Sequence, residues 1–146
     1  MTARPDPPPG RAQRWSRALL AGYLLAGAWL TLRPAPMGRV SRPVIRAVHD
    51  LTGLSWPVSG RLAERGGNVL LFVPLALLLC WALPRLRRRV VWLLCVAGSV
   101  GIEVTQFLFL PARYPSVVDI VTNSTGAAVG VGLHWLLTRR RSSHPG

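Results

Sequence analysis

Six polar residues between positions 68 and 123 are suited to acid–base chemistry or ligand binding. Glu103 and Gln106 lie three residues apart in an otherwise apolar run, 90–110 (VVWLLCVAGSVGIEVTQFLFL). On a helix that spacing projects both from one face, and Ser99 and Leu110 extend the same stripe. Asp119 and Asn123 recur at helical spacing in the next run, 117–137 (VVDIVTNSTGAAVGVGLHWLL), with Thr122, Gly126 and Gly130 on the same side. Arg113 sits in the short turn between them, PARYPS, and Asn68 opens the apolar run 67–83 (GNVLLFVPLALLLCWAL). A buried carboxyl can work as a general acid or base. A guanidinium can hold a carboxylate or phosphate by two parallel hydrogen bonds. Glu103, Arg113 and Asp119 are therefore the candidates for any catalysis, and all six are candidates for holding a ligand. No strong nucleophile accompanies them, and His49 stands alone rather than at metal-ligand spacing, so neither a metal nor a cofactor is expected.

The elements that must position these residues are read from composition. Of 146 residues 50% are hydrophobic and only 16% charged, against about one quarter charged in an ordinary soluble domain. The apolar residues fall in long blocks. Four of these, 15–32, 67–83, 90–110 and 117–137, have the ~17 to 25 residues that a helix needs to cross a bilayer. The sequence thus predicts an all-α, polytopic membrane protein with four transmembrane helices in an antiparallel bundle. The spanning domain occupies 15–137, with a disordered cytoplasmic tail at 1–14 and a basic cytoplasmic tail at 138–146. Soluble bundle helices would each carry a polar stripe along their whole length, and these blocks do not. Pro74 predicts a kink that neighbouring helices compensate. Trp15, Trp29, Trp81, Trp92 and Trp135 lie near block ends, as expected of an interfacial aromatic belt.

Charge sets the expected orientation. All 18 basic residues are arginine, against 5 acids, for a net charge of +13. Because they cluster between apolar blocks rather than along a folded face, they argue against a nucleic-acid partner. Eleven fall in the N-terminal tail (such as Arg11 and Arg14), the 84–89 turn and the C-terminal tail, which share one side of a four-span protein. The other side holds six in the 33–66 loop and Arg113. Arginine-rich short segments stay cytoplasmic, so both termini are placed inside a bacterial plasma membrane. The first block is too long for a signal-peptide core and no small-x-small site follows it, which favours an uncleaved span.

Within the long loop, 43–54 (PVIRAVHDLTGL) puts Val44, Val48 and Leu51 on one helical face. This reads as a short interfacial helix, either a lid over a site or a plain solvated loop element. Cys80 and Cys95 lie toward the inner ends of their helices, where packing is a better account than redox chemistry.

Glu103 is the costly residue. A carboxylate in mid-membrane costs about 3 kcal/mol on insertion scales, so it must face the bundle interior with a partner or a proton. The Gly126–Gly130 step allows close helix approach, and the third and fourth spans are expected to pack along the two polar stripes. With both termini inside, Asn68, Gln106, Arg113, Asp119 and Asn123 fall in the outer half and Glu103 near the centre. One outward-facing polar cluster is the expectation, with Arg113 as counter-ion to Asp119. The same groups read alternatively as packing glue that satisfies itself.

At this point the chain resembles the VanZ-like family of small bacterial membrane proteins. The resemblance is carried by NVLLFVPLA from Asn68, GIEVTQFLFLPAR from Gly101 and DIVTNSTGAAVG from Asp119. Asn68, Phe72, Pro74, Glu103, Gln106, Arg113, Asp119, Asn123, Gly126 and Gly130 match the family pattern. Ala76 stands in place of its glycine after Pro-Leu, and Val118 where many members carry a second acid, which leaves one carboxylate fewer. The resemblance implies a membrane protein associated with teicoplanin resistance. Three functions are open. The outer cluster binds an amphiphilic or lipid-linked envelope ligand and influences glycopeptide susceptibility, or Glu103 serves an intramembrane enzyme as acid or base, or the chain is a structural membrane partner or oligomer.

Overall fold

The computed structural model of the chain describes residues 10–31, 38–110 and 116–141. The expectations for Arg113 and for most of the N-terminal tail lie outside these residues. Those described form five α-helices and no strand: α1 Arg11–Thr31, α2 Gly38–Thr52, α3 Trp56–Ala82, α4 Arg88–Phe109 and α5 Val117–Arg141. The all-α class therefore holds.

Three helices, α1, α3 and, by two residues, α4, begin before their apolar runs, because helix starts are set by caps rather than by hydropathy. α1 starts at Arg11. α3 starts at Trp56, eleven residues ahead of Gly67, with Ser55 extended at its N-cap (φ −60°, ψ 150°) and Pro57 in the first turn. A proline there lacks only an N–H that no helical carbonyl would take. The buried Ser59 hydroxyl donates to the carbonyls of Leu54 and Ser55 at 3.3 and 3.2 Å and closes the entry. Just upstream, α2 ends at Gly53, whose φ of +67° is the left-handed conformation that stops a helix; its N–H donates to the His49 carbonyl at 2.8 Å. The loop helix expected at 43–54 is thus real but longer, and it folds back on α3. Its Ile45 packs beside Gly60, and the His49 ring meets the Trp56 ring edge-on at 5.6 Å.

Contacts fix how neighbouring helices run. Gln13 Nε2 and Arg17 Nε both donate to the Ala82 carbonyl at 3.3 Å, and Tyr23 donates to the Leu71 carbonyl at 2.7 Å. α1 therefore runs against α3 and supplies donors to its C-terminal end, where carbonyls lack helical partners. α5 runs alongside α3 in the same direction: a Cβ on Gly126 would lie 2.4 Å from the Val69 carbonyl oxygen, and one on Gly130 2.3 Å from that of Val73. The glycine step thus seats α5 on the backbone of α3. This corrects the expectation that it would serve the contact with α4. With no Cβ at either position, α5 comes close enough for the Val69 and Val73 carbonyls and the small Ala76 side chain to fill the space.

The shared interior is small, built on Phe72, Ala76, Cys95 and Ala127 with Leu75, Leu79 and Ile102 around them. Most large apolar side chains point outward instead, among them Leu25 (73% exposed), Leu70 (73%) and Phe109 (73%). α3 and α4 are long and apolar enough to cross a membrane, yet only 22% and 28% of their most apolar stretches are buried within the protein. A soluble core helix buries its apolar face; these two leave theirs for another apolar phase. α1 and α5 fall short of the same test among the described residues. Arg11, Arg14 and Arg17 open the one, and Asp119 with Thr122 to Thr125 interrupts the other.

Candidate functional site

The buried face of α4 is Val91, Cys95, Ser99, Glu103 and Gln106, spaced by three and four residues. Its polar half is joined to two other helices. Glu103 is 6% exposed, and its Oε2 accepts the backbone N–H of Ser116 at 2.7 Å. Ser116 immediately precedes α5, and its hydroxyl oxygen accepts the Asp119 N–H at 3.3 Å. Ser116-x-x-Asp119 is thus half of a capping box. A helix start exposes N–H groups with no helical acceptor and carries partial positive charge. The apolar helix α4 accommodates its carboxyl group because α5 begins beside it.

Gln106, also 6% exposed, donates from Nε2 to the carbonyl of Thr31 at 2.9 Å. Thr31 is the last residue of α1, where carbonyls again lack helical partners. Asn123 on α5 is 5% exposed; its Nδ2 donates to the Ser99 hydroxyl at 2.8 Å, while its Oδ1 is buried with no hydrogen-bond partner among the described residues. Asp119 is half-buried in the first turn of α5, and its carbonyl accepts the Thr122 hydroxyl at 3.1 Å. A polar seam therefore links the end of α1, the end of α4 and the start of α5.

Of the six residues singled out from the sequence, Glu103, Gln106, Asp119 and Asn123 are placed along this seam. Asn68 is half-buried on α3, one residue before the Val69 carbonyl that faces Gly126, and enters none of these bonds. Two participants carry no side-chain signal of their own: the N–H of Ser116 and the carbonyl of Thr31 act through the backbone. The first was legible indirectly, since Ser-x-x-Asp ahead of an apolar run marks a helix start; the second was not. Among the described residues no group of three or more His, Cys, Asp or Glu could hold a metal ion. Cys80 and Cys95 are buried free thiols, and Cys95 packs in the core with Phe72, Ala76 and Ala127.

An all-helical chain with apolar side chains turned outward, two helices fit to cross a bilayer and a carboxyl group buried between helices belongs to the class of helical membrane proteins. The VanZ/LLP1 family model matches residues 20–138, and the chain belongs to that family. It is also 28% identical over 123 residues to Protein VanZ of Enterococcus faecium, a match covering 83% of this chain and 74% of the relative. No solved structure matches.

Proposed function

We propose that this chain is a four-span VanZ-like protein of the bacterial plasma membrane, with both termini cytoplasmic. Its polar seam binds an amphiphilic or lipid-linked envelope ligand and so alters susceptibility to teicoplanin-type glycopeptides. The observation that carries this reading is a carboxyl group and an amide oxygen, Glu103 and Asn123 Oδ1, buried between helices of which α4 is apolar enough to cross a membrane. Intramembrane ionisable groups are expensive and mark functional sites.

The helix directions support four crossings in an antiparallel bundle: α1 runs against α3, and α4 against α5, as the Ser99–Asn123 and Glu103–Ser116 bonds require. The arginine distribution supports the orientation, which puts the seam in the outer half. In this reading Arg113 holds an anionic group, Glu103 and Asp119 set the charge balance, and Asn68, Gln106 and Asn123 orient the ligand. The bonds of Gln106 to Thr31 and of Glu103 to Ser116 favour a second reading, in which the seam only locks helix ends together.

The test is expression of the intact chain and of Glu103→Gln in a glycopeptide-susceptible bacterium, at matched membrane abundance. Binding predicts that the parent shifts teicoplanin susceptibility and the variant does not. Equal behaviour of the two assigns the seam to packing.

A further inference from the structure

At the other end of the molecule from the seam, α3, α4, α5 and the turn between α3 and α4 line an open cavity of about 600 Å³. Arg87, Arg88, Arg89, Trp81, His134 and Thr138 are among the residues lining it, and none of the described lining residues is acidic. Arg88 Nη2 donates to the Thr138 hydroxyl at 3.1 Å, which fixes one guanidinium across the gap between α4 and α5. His134 meets Trp81 edge-on at 6.3 Å, and its Nδ1 is buried with no hydrogen-bond partner among the described residues. The cavity also borders the start of α4, where Arg87 is the N-cap, no side chain caps the helix and the first turn holds no acid. Positive charge converges here from the side chains and from the helix end.

Arg88 and Arg89 also border a second hollow of about 530 Å³, whose other walls are Trp92, Ala128, Val131, Gly132 and Trp135. Apart from the two arginines, this groove is apolar. A basic hollow that shares Arg88 and Arg89 with an apolar, tryptophan-walled groove is complementary to one kind of molecule, an amphiphile with an anionic head. A soluble anion would have no use for the groove, and a neutral lipid none for the arginines.

We propose that this cavity and groove form a binding site for an anionic phospholipid, its phosphate held by Arg87, Arg88 and Arg89 and one acyl chain laid along Trp92, Val131 and Trp135. The proposal rests on the reading of the chain as a membrane protein but not on the polar seam. Basic pockets between membrane helices are a recognised way of holding anionic lipid heads.

The test uses the full chain purified in neutral detergent, with bound lipid counted by native mass spectrometry against added phosphatidylglycerol or phosphatidylcholine. Phosphatidylglycerol should be retained at roughly tenfold lower concentration than phosphatidylcholine. Replacing Arg87, Arg88 and Arg89 together by Gln should abolish that preference. The same change at Arg42, Arg61 and Arg65, which removes equal charge elsewhere, should leave it intact. Gly132→Leu should weaken retention by filling the groove; a Cβ at Gly132 meets no atom within 4 Å, so its first added carbon clashes with nothing. Equal binding of the two lipids, a preference that survives the first triple variant, or an equal loss in the second would overturn the proposal. Displacement of the lipid by inorganic phosphate at the same concentration would also overturn it, by showing a site for soluble anions. Recovery from carbonate-washed membranes tests the membrane reading separately: a chain found there without the lipid preference refutes this inference alone.

Discussion

Gly126 and Gly130 give the most direct test of how the helices are held. An alanine Cβ at Gly126 would stand 2.4 Å from the Val69 carbonyl oxygen, and one at Gly130 2.3 Å from that of Val73 and 2.9 Å from the Ala76 Cβ. Even a close C–H···O contact keeps carbon and oxygen about 3.3 Å apart, so α5 must retreat from α3 by close to 1 Å. The obstacles are backbone atoms within helices, which cannot swing aside as a flexible side chain does. Overpacking of this kind costs roughly 1–3 kcal/mol, and a gap of 0.5–1 Å forfeits about a quarter to a half of the dispersion energy along the interface. Each of Gly126→Ala and Gly130→Ala is therefore expected to destabilise by about 2–4 kcal/mol. Gly98 and Gly132 provide the controls, because a Cβ at either meets nothing within 4 Å. Alanine there should be neutral, or stabilising by up to ~1 kcal/mol through helix propensity. The assay is reversible unfolding of the purified protein in mixed micelles, read by circular dichroism. If Gly126→Ala and Gly98→Ala unfold alike, α5 is not seated on α3 through its glycines.

Glu103→Gln keeps an oxygen to accept the Ser116 N–H and should change stability by less than ~1 kcal/mol, whereas Glu103→Ala strands that N–H and should cost about 1–3 kcal/mol in the same assay. A stable Glu103→Gln that also abolishes the glycopeptide phenotype separates function from packing. The double-mutant cycle of Ser99→Ala with Asn123→Ala should show a coupling of about 0.5–1.5 kcal/mol, since the two share one buried bond; additive effects would mean that bond is not made. Gln106→Ala should raise hydrogen exchange at the end of α1 before it lowers global stability, because the bond it removes holds the Thr31 carbonyl at the helix terminus. Unchanged exchange there would show that α4 does not hold α1 in place.

Much of the site was legible from the sequence because burial inside an apolar helix follows a 3.6-residue period. Ser99, Glu103 and Gln106 read as one stripe, and the structure buries all three. On α5 the same rule grouped Asp119, Asn123, Gly126 and Gly130. What periodicity does not say is which neighbour each stripe meets. The glycines and Asn123 lie on adjoining parts of one helix surface yet serve different partners, the former α3 and the latter α4. Hydropathy also misplaced the start of α3: Arg61, Glu64 and Arg65 break the apolar run without breaking the helix, because a charged side chain ends a hydrophobic stretch but not a hydrogen-bond ladder.

Composition and short-range period alone show that the chain is helical, that its apolar residues fall in helix-length blocks and that a few polar groups must be hidden among them. What those polar groups touch depends on how the helices meet. Glu103 finds the N–H of Ser116 and Gln106 the carbonyl of Thr31, backbone groups that every residue carries and no side chain advertises. The same holds for the arginines at 87–89, which in the sequence mark a membrane side. Only when His134, Thr138 and Trp135 are brought up beside them on α5, some fifty residues away along the chain, do they become the walls of a site.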